Sequence, residues 1–408
     1  MLPMPRLNCW ENPVSCVIMC RCLTYHPKVK RQNLKKAKFN NNFRKAVALF
    51  SAAVLTITTG CASVPVSAPE KKERFTAQFL DVFDTISMEI GYEANEETFK
   101  ERYNASHELL LKEHQLFDIY NDYDGINNLK TVNDNAGIQP VKVDEKLIEL
   151  VKRGKDIYSL TDGKVNIAYG AVLRLWHEKR EIGMADPGKG ELPDEKALKE
   201  AADHTDINDI IIDEEAGTLY LQDPEMSLDV GGIAKGYAAE DAARLLESAG
   251  SDSFMLNLGG NLRAIGLKDN KEKWVCPVEN PTYRDSQTGD QYSAMTYLDD
   301  MSLVTSGDYE RYYVVDGKRY HHIIDPETLY PATYHRSVTI LTHDSALADA
   351  LSTALFSMSI EDGKKLIQSV SDGSSVLGKS DRVGRIEVMW ISEDGTKTFT
   401  DGFEDFTK

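Results

Sequence analysis

The sequence predicts an α+β fold in which mostly antiparallel sheets pack against helices. Strand-like segments occur as neighbouring pairs joined by short turns, and the helical segments are grouped between those pairs. A doubly wound parallel sheet would instead show strands and helices in regular alternation. Neither an internal repeat nor a heptad pattern is present. Residues 75–408 are therefore expected to form a single large domain, long enough to bury its own core.

Periodicity predicts the elements of this domain in chain order. Apolar residues at helical spacing predict helices over 94–116, 143–158, 235–249 and 345–358, and Gly250 is the expected C-cap of the third. Another helix is expected after an acidic insert at 181–195. Strand patterns cover 75–90, 209–213, 218–221, 254–266 (a hairpin), 274–278, 292–298, 337–342 and 386–399 (a pair). Residues 161–176 change from a turn to a strand and then to an apolar segment.

The first 60 residues have the composition of an N-terminal extension with an export signal. They contain ten Lys or Arg residues and one acid, Glu11. Residues 46–60 carry no charge, and they end at Gly60-Cys61. A basic region, an apolar stretch and a small-residue boundary are typical of a secretory signal. The cysteine indicates a lipoprotein signal with Cys61 as the lipidated residue, although Thr58 stands where such signals usually have an aliphatic residue.

The expected location follows from this signal. Residues 61–74 predict a flexible tether, so the domain is expected on the extracytoplasmic face of a bacterial cell membrane, held by its N-terminal lipid. An uncleaved anchor and a soluble secreted protein are the alternatives. The whole chain has a formal net charge of −18. This acidic balance argues against a nucleic-acid partner, because phosphate backbones are bound by clustered Lys and Arg.

The segment DVGGIAKG at 229–236 is the most informative motif of the chain. Gly231 and Gly232 allow backbone geometry and close approach that a Cβ would block, and a helix begins after them. Asp229 and Lys235 place a carboxylate and a cation around this turn. A helix N-terminus with free N–H groups and a nearby cation favours a phosphorylated ligand. The alternative is a purely structural turn, and the spacing matches neither the P-loop nor the dinucleotide fingerprint.

Three further motifs follow, which are a glycine turn, a turn that contains a serine, and a histidine with a nearby aspartate. Gly259 and Gly260 form a tight turn between flanking asparagines, and Ser306 lies in a turn that also supplies acids and a cation. His322 and Asp325 lie three residues apart where a strand ends, so one side chain can orient the other for general-base catalysis. Each motif taken alone has a structural alternative, which is a hairpin turn for the glycines and a satisfied pair for His322 and Asp325.

The helix at 345–358 carries the last motif. Asp349 and Thr353 are four residues apart and are therefore neighbours on one helix face. A carboxylate beside a hydroxyl provides hard oxygen ligands suited to Mg²⁺, whereas a solvated polar face is the alternative. From the residues alone, the motifs predict a secreted, enzyme-like domain with a phosphate site and an oxygen-ligand metal site.

In this order, the five motifs resemble those of the FAD:protein FMN transferase (ApbE) family. They read DVGGIAKG (229–236), NLGGN (257–261), TSGDYER (305–311), HIIDPETLYP (322–331) and DALST (349–353), and the resemblance runs from about residue 80 to the C-terminus. The chain departs from the family pattern in three places. Phe83-Asp84-Thr85 stands where the family commonly has Met-Gly-Thr, and the segment 166–170 stands where it has F-D-[IV]-T-x-G. Leu329-Tyr330 replaces a pair that contains glycine.

The resemblance implies an antiparallel-rich α+β fold and a Mg²⁺-dependent reaction. The FMN half of FAD would pass to a Ser or Thr hydroxyl of a target protein, with release of AMP. It implies a metal site on Asp349, Thr353 and a backbone carbonyl near Gly232. It also implies that one of His322 and Asp325 is the general base and that the other orients it, without deciding which is which. The implied FAD contacts are Asp229, Lys235, Tyr120, Lys164, Val165, Asn166, Ile323, Gly231, Gly259, Gly260 and Ser306.

The implied acceptors are flavoprotein subunits of membrane redox complexes. An FAD-binding lipoprotein that does not transfer FMN, and an FAD pyrophosphatase that lacks a protein acceptor, are the alternative functions. A pure carrier needs neither the His322/Asp325 pair nor the Asp349/Thr353 pair. Because both pairs are intact in this sequence, the transferase is the favoured prediction.

Overall fold

The computed structural model of the chain describes residues 71–371 and 384–407, which lie in one compact unit. The predicted signal, Cys61 and the tether up to residue 70 lie outside these residues. Within the described ranges, none of the helices combines the length and apolar character needed to cross a bilayer. The first strand begins at Glu73, two residues before the domain boundary expected from the sequence.

The described elements alternate between paired strands and helices. The strands are β1 (Glu73–Phe79), β2 (Ser87–Glu93), β3 (Val141–Lys142), β4 (Ile210–Asp213), β5 (Thr218–Leu221), β6 (Phe254–Leu258), β7 (Asn261–Ile265), β8 (Trp274–Glu279), β9 (Tyr292–Leu298), β10 (Ser302–Gly307), β11 (Tyr312–Val315), β12 (Lys318–His321), β13 (Ser337–Thr342), β14 (Glu387–Ile391) and β15 (Lys397–Phe399). The helices are α1 (Glu96–Phe117), α2 (Leu129–Asp134), α3 (Glu145–Leu160), α4 (Gly170–Ala185), α5 (Glu195–Ala202), α6 (Ala234–Ser248), α7 (Pro281–Ser286), α8 (Ser345–Phe356) and α9 (Ile360–Ser371).

A large antiparallel sheet is the centre of the described fold. Its strand order is β1-β2-β6-β7-β10-β13-β14-β15, and all of its neighbouring strands run antiparallel. Smaller antiparallel sheets are formed by β3-β5-β4, by β8-β9 and by β11-β12. The predicted α+β class with mostly antiparallel sheet is therefore confirmed.

The sheet is covered on both faces, which explains why β13 and β14 are buried along their whole length. On one face lies α8, a helix that is apolar on nearly all sides, as expected of a helix in the centre of a core. On the other face, Trp274 and Val278 of the β8-β9 hairpin pack against Met255 and Leu341. This arrangement fixes α8 between the sheet and α6.

Most predicted elements are found, but two segments differ. The strand predicted over 75–90 is two antiparallel strands, β1 and β2, joined by a turn in which Phe83 and Asp84 have positive φ. The strand predicted within 161–176 is wrong. That segment is a turn followed by α4, and a Cβ at Gly170 would overlap the Ser227 carbonyl oxygen. Tertiary contact with the 226–228 segment therefore decides the local structure there.

Gly250 ends α6 as the residue directly after the C-cap, which is Ala249 and not Gly250 as expected. Gly250 has φ +88°, its N–H donates to the Glu247 carbonyl oxygen at 2.9 Å, and the Ser251 N–H donates to the Leu246 carbonyl oxygen at 2.9 Å. This pair of bonds is the Schellman arrangement that ends many helices. It turns the chain back from α6 into β6, and so sets the packing of α6 on the sheet.

Glu89 on β2 makes the fold sensitive to pH. It is fully buried, and Oε1 accepts a hydrogen bond from the Ser106 hydroxyl at 2.7 Å, while Oε2 has no partner among the described residues. Burial raises the pKa of this carboxyl to about 8. The folded chain therefore holds a proton that the unfolded chain releases above about pH 4.5, so the free energy of unfolding should fall as pH rises from 4.5 to 8.

The substitution Glu89→Gln should remove this dependence. Relative to the variant, the wild-type free energy of unfolding should decrease by about 1.4 kcal/mol per pH unit across that range. Denaturant unfolding of both proteins at pH 5.5 and pH 7.5 measures the difference. Parallel pH profiles for the two proteins would show that Glu89 does not hold a proton in the folded state.

Candidate active site

The sequence motifs meet around a cavity of about 640 Å³. This volume lies in the range that binds cofactor-sized ligands. The predicted site residues in its wall are Tyr120, Lys164, Val165, Asn166, Asp229, Gly231, Gly232, Lys235, Gly259, Gly260, Ser306, His322, Ile323, Asp349 and Thr353. The fold therefore brings together segments that are more than 200 residues apart in the chain.

Close packing of α6 against α8 builds one wall of the cavity. At Gly236 a Cβ would overlap both the Ser345 carbonyl oxygen and the Asp349 Cβ, so only glycine allows this approach. The approach brings the buried Asp349 carboxylate to the N-terminus of α6, where Oδ2 accepts a hydrogen bond from the Gly236 N–H at 2.8 Å. Ile233, the N-cap residue of α6, provides no side-chain cap. The N-terminus of α6 is therefore capped by a carboxylate from α8.

The oxygen atoms beside this contact fit a hard divalent cation. The second Asp349 oxygen, Oδ1, has no hydrogen bond within the described part of the chain, and Thr353 follows one helical turn later on α8. A Cβ at Gly232 would lie 3.6 Å from Thr353 Oγ1, so the backbone of the glycine turn faces this hydroxyl. Mg²⁺ is commonly held by one or two carboxylates together with substrate phosphates and water, and this small donor set matches that pattern.

The glycine turn at 229–236 is held by its own aspartate. Asp229 Oδ1 accepts a hydrogen bond from the Gly231 N–H at 2.7 Å. Lys235 follows in the first turn of α6, and burial lowers the pKa of its ammonium group while the charge of Asp349 opposes that shift. Within the described ranges, Lys235 makes no ion pair. A cation in a cavity wall without a carboxylate partner is suited to an anionic ligand.

Gly259 and Gly260 form the two-residue turn between β6 and β7. Their φ angles are +60° and +92°, which is the pattern of a type I′ hairpin turn. The Asn257 side chain accepts a hydrogen bond from the Gly260 N–H at 2.9 Å. A Cβ at Gly259 would overlap the Thr85 hydroxyl. The segment is therefore a hairpin turn that also lines the cavity, and FAD contact at Gly259 and Gly260 stays a prediction.

His322 is oriented by the backbone of Arg311. The two residues flank the β11-β12 hairpin, and His322 Nδ1 lies 3.3 Å from the Arg311 carbonyl oxygen. Because a carbonyl oxygen only accepts, Nδ1 carries the proton and Nε2 keeps its lone pair. Burial, and then the charge of Arg311, lower the pKa of His322 well below its usual value. The imidazole is therefore neutral at pH 7 and can accept a proton at Nε2.

The neighbouring histidine has a structural role. His321 is buried, and its Nε2 donates to the Ala332 carbonyl oxygen at 2.9 Å while Nδ1 accepts from the Ile323 N–H at 3.2 Å. Burial lowers the pKa of His321 to about 4. Both ring nitrogens are thus occupied, which leaves His322 as the histidine of this pair that faces the cavity.

The predicted pairing of Asp325 with His322 is wrong. Asp325 is 1% exposed and does not belong to the cavity wall. Its carboxylate lies 3.2 Å from Lys164 Nζ and accepts a hydrogen bond from the Glu327 N–H at 3.2 Å. The turn that begins at Asp325 directs the carboxylate towards Lys164, and the Arg311 carbonyl takes the position expected of an orienter. Asp325 therefore holds Lys164 at the cavity wall.

One face of α4 was missed, because its first part was predicted as a strand and an apolar stretch and its last part as the start of the acidic insert. The cavity-lining residues of this helix are Leu173, Trp176, His177, Arg180, Glu181 and Met184. Their spacing of three and four residues is the signal that could have identified the helix. The His177 ring lies 5.1 Å from the ring of Tyr120, which is 55% exposed. Together they present an aromatic surface at the cavity.

A family model described as "ApbE family" matches residues 85–377. The chain belongs to the ApbE family. An FAD:protein FMN transferase of Klebsiella pneumoniae is 30% identical over 285 residues, which cover 69% of this chain and 85% of the relative. The FAD:protein FMN transferase of Treponema pallidum is 36% identical over 256 residues, covering 59% of this chain and 67% of the relative.

The solved structures of the ApbE family support the fold. The crystal structure of the ApbE protein of Thermotoga maritima has a TM-score of 0.68 and 28% sequence identity, and the match covers 82% of this chain and all of that protein. The sequence-based prediction of an ApbE-like fold is thus confirmed, as is the resemblance that the five motifs suggested.

Backbone geometry explains why the ApbE pattern has glycine at two positions where this chain departs from it. Asp84 and Leu329 stand where the family pattern has glycine, and their φ angles are +49° and +63°. Glycine adopts this left-handed region without strain, whereas a side chain adds steric cost. The third departure includes Asn166, whose amide donates to the Thr205 carbonyl oxygen at 2.9 Å. A carboxylate there could not donate that hydrogen bond.

Proposed function

We propose that this protein transfers the FMN half of FAD to a Ser or Thr hydroxyl of an acceptor flavoprotein and releases AMP. The observation that carries the proposal is the position of His322. His322, whose Nε2 is unprotonated, lies in the same cavity wall as the oxygen ligands Asp349 and Thr353 and the cation of Lys235. A proton acceptor, a metal-ligand pair and a phosphate-binding cation are the groups that phosphoryl transfer to a hydroxyl needs.

Different residues of the cavity would bind the phosphate, contact the rings of FAD and accept the proton. Lys235 binds a phosphate oxygen, and Asp229 holds the turn that places Lys235. The aromatic surface of Tyr120 and the segment Lys164–Asn166, with Ile323 beside it, provide contacts for the flavin or the adenine ring. His322 Nε2 takes the proton of the acceptor hydroxyl. An anionic diphosphate near the cations raises the pKa of His322 towards its usual range, so the base is stronger when FAD is bound.

The proposed metal is Mg²⁺, held by Asp349, Thr353 and a backbone carbonyl near Gly232. When bound, it supplies Lewis-acid stabilisation of the charge on phosphoryl oxygens. The hydrogen bond from the Gly236 N–H to Oδ2 keeps the Asp349 carboxylate in one orientation, with Oδ1 available to the cation.

The proposed setting is the extracytoplasmic face of a bacterial cell membrane, where a lipid on Cys61 would tether the domain. Support comes from the uncharged residues 46–60 and the Gly60-Cys61 boundary. The proposed acceptors are flavoprotein subunits of membrane redox complexes that carry a Ser or Thr hydroxyl on the same side of the membrane.

The alternatives predict different products. An FAD carrier has no use for a neutral, oriented His322, and this geometry favours an enzyme over a carrier. An FAD pyrophosphatase would use the same groups with water as the nucleophile. Access of a protein hydroxyl to His322 is the property that separates the transferase from the pyrophosphatase.

The test incubates the full-length chain with FAD, Mg²⁺ and a protein that carries a flavinylation threonine. The intact mass of the acceptor and the released AMP are measured, and the Thr→Ala acceptor is the matched control. One FMN-sized adduct on the threonine acceptor, absent from the alanine acceptor and prevented by EDTA, is the expected result. AMP and FMN without an adduct would identify the pyrophosphatase, and bound FAD without products would identify the carrier.

A further inference from the structure

Arg180 on α4 is a partly buried cation of the cavity wall that the sequence motifs do not include. Its Nη2 atom lies 2.8 Å from His177 Nδ1. Because a guanidinium only donates, Nδ1 accepts this hydrogen bond and His177 is held in place beneath the ring of Tyr120. The guanidinium of Arg180 is therefore held by a hydrogen bond to a residue of the same helix.

Another cation, Arg311, acts on Arg180 more strongly than the nearby acids do. Burial and the charge of Arg311 lower the pKa of Arg180, while the charges of Glu181 and Asp229 oppose that shift. Arg311 also acts on Lys235 and on His322. Among the residues that the structure describes, Arg180, Arg311 and Lys235 take part in no ion pair. Placing like charges together in a partly buried site costs free energy unless an anion binds between them.

Other buried arginines of this protein have carboxylate partners. Arg263, which is 1% exposed, lies within 3.3 Å of carboxylates of Glu240, Glu247 and Asp300. Arg336 is paired with Asp285 at 2.6 Å and Asp308 at 2.7 Å. The fold therefore pairs these two buried arginines with carboxylates. Arg180 differs from them because it lies in a cavity wall that also contains Arg311.

We propose that Arg180 is a further catalytic residue, which binds the diphosphate of FAD together with Arg311. This inference rests on the proposed function. In the transfer step, the acceptor oxygen forms a bond to the phosphorus of the FMN half, and the bond from that phosphorus to the bridging oxygen breaks. The bond's electron pair leaves with AMP, while the hydroxyl proton passes to His322 Nε2. The guanidinium of Arg180 stabilises the negative charge that grows on the departing phosphate.

The test compares the full-length wild type with Arg180→Gln and Arg180→Lys. Arg174→Gln is the matched control, because Arg174 is on the same helix and is exposed outside the cavity. The binding affinities for FAD and for riboflavin, which has no phosphate, are measured at two salt concentrations, together with the rate of FMN transfer at saturating FAD. Thermal unfolding of each variant is the check on folding.

Arg180→Gln should weaken FAD binding by about tenfold or more and reduce the transfer rate by about a hundredfold, while riboflavin binding and the unfolding temperature stay within error of wild type. The salt dependence of FAD affinity should become less steep, since one charged contact is lost. Arg180→Lys should be intermediate, because an ammonium cannot make the bidentate contact of a guanidinium.

Two results would overturn the proposal. Equal losses of FAD and riboflavin affinity would show that Arg180 shapes the cavity, and unchanged FAD affinity and transfer rate would show that it does not contact the diphosphate. Failure of the proposed function is recognised separately, because in that case the wild type binds FAD in a manner that depends on Arg180 but transfers no FMN.

Discussion

Asparagine in place of Asp349 is expected to slow FMN transfer by about a thousandfold, which is the scale of losing one electrostatic group of a transfer site. The variant should nevertheless fold with undiminished stability. Its amide oxygen can still accept the hydrogen bond from the Gly236 N–H that Asp349 Oδ2 accepts at 2.8 Å. Burial raises the pKa of Asp349, which shows that its charge is costly in the folded chain. Removing that charge should leave the free energy of unfolding equal or higher.

The measurements are the rate of FMN transfer, the Mg²⁺ concentration for half-maximal rate and the free energy of unfolding. Asp344→Asn is the matched control, since Asp344 is the N-cap residue of the same helix and asparagine caps equally well. The control should keep the wild-type rate and the wild-type Mg²⁺ dependence. A fast Asp349→Asn enzyme would contradict the assignment of Asp349 as a metal ligand, and an unfolded one would contradict the expected stability.

The Asp349/Thr353 pair could be predicted from sequence because it depends on local geometry alone. Two residues four apart on a helix are neighbours wherever that helix lies. The contact of Asp349 with the N-terminus of α6 could not be predicted in the same way, because it joins residues 113 positions apart. The contact requires glycine at position 236, because a Cβ there would overlap atoms of α8. The sequence alone does not show that α8 packs at this position.

The error at Asp325 has the opposite cause. His322 and Asp325 are close in the sequence, and the general-base interpretation took that closeness for a contact. The chain turns between them, so that Asp325 faces Lys164 from the segment before α4, and His322 faces a carbonyl across the β11-β12 hairpin. Short separation in an extended or turning segment does not fix where two side chains point.

The α4 helix shows how a helical spacing of residues can be missed in a sequence. Val165 and Ile167 are buried in the turn that precedes it, where a strand was predicted. The helical spacing from Leu173 to Met184 mixes apolar residues with charged ones, since this face lines a cavity that is suited to a polar ligand. A helix face that lines a ligand-binding cavity lacks the uniform apolar character on which helix prediction relies.

Alanine in place of Gly236 is expected to cost about 3 kcal/mol of unfolding free energy. The new Cβ would overlap the Ser345 carbonyl oxygen and the Asp349 Cβ, which are backbone and first side-chain atoms that cannot rotate away. Alanine's better helix propensity offsets about 1 kcal/mol at most. To relieve the overlap, α8 must move away from α6, which displaces Asp349 and Thr353 from the glycine turn. Because a shift of about 1 Å can reduce a reaction rate about a hundredfold, FMN transfer should fall as well.

Gly363→Ala is the matched control for this substitution. Gly363 is a buried glycine of α9, and a Cβ there would lie 3.0 Å from Leu355 Cδ2, the far end of a side chain that can adjust. This control should stay within about 1 kcal/mol of wild type and should keep the wild-type rate, because α9 is not part of the cavity wall. Denaturant unfolding and transfer assays on both variants make the comparison. Equal stability of the two variants would mean that α6 and α8 do not need the close approach on which the position of Asp349 depends.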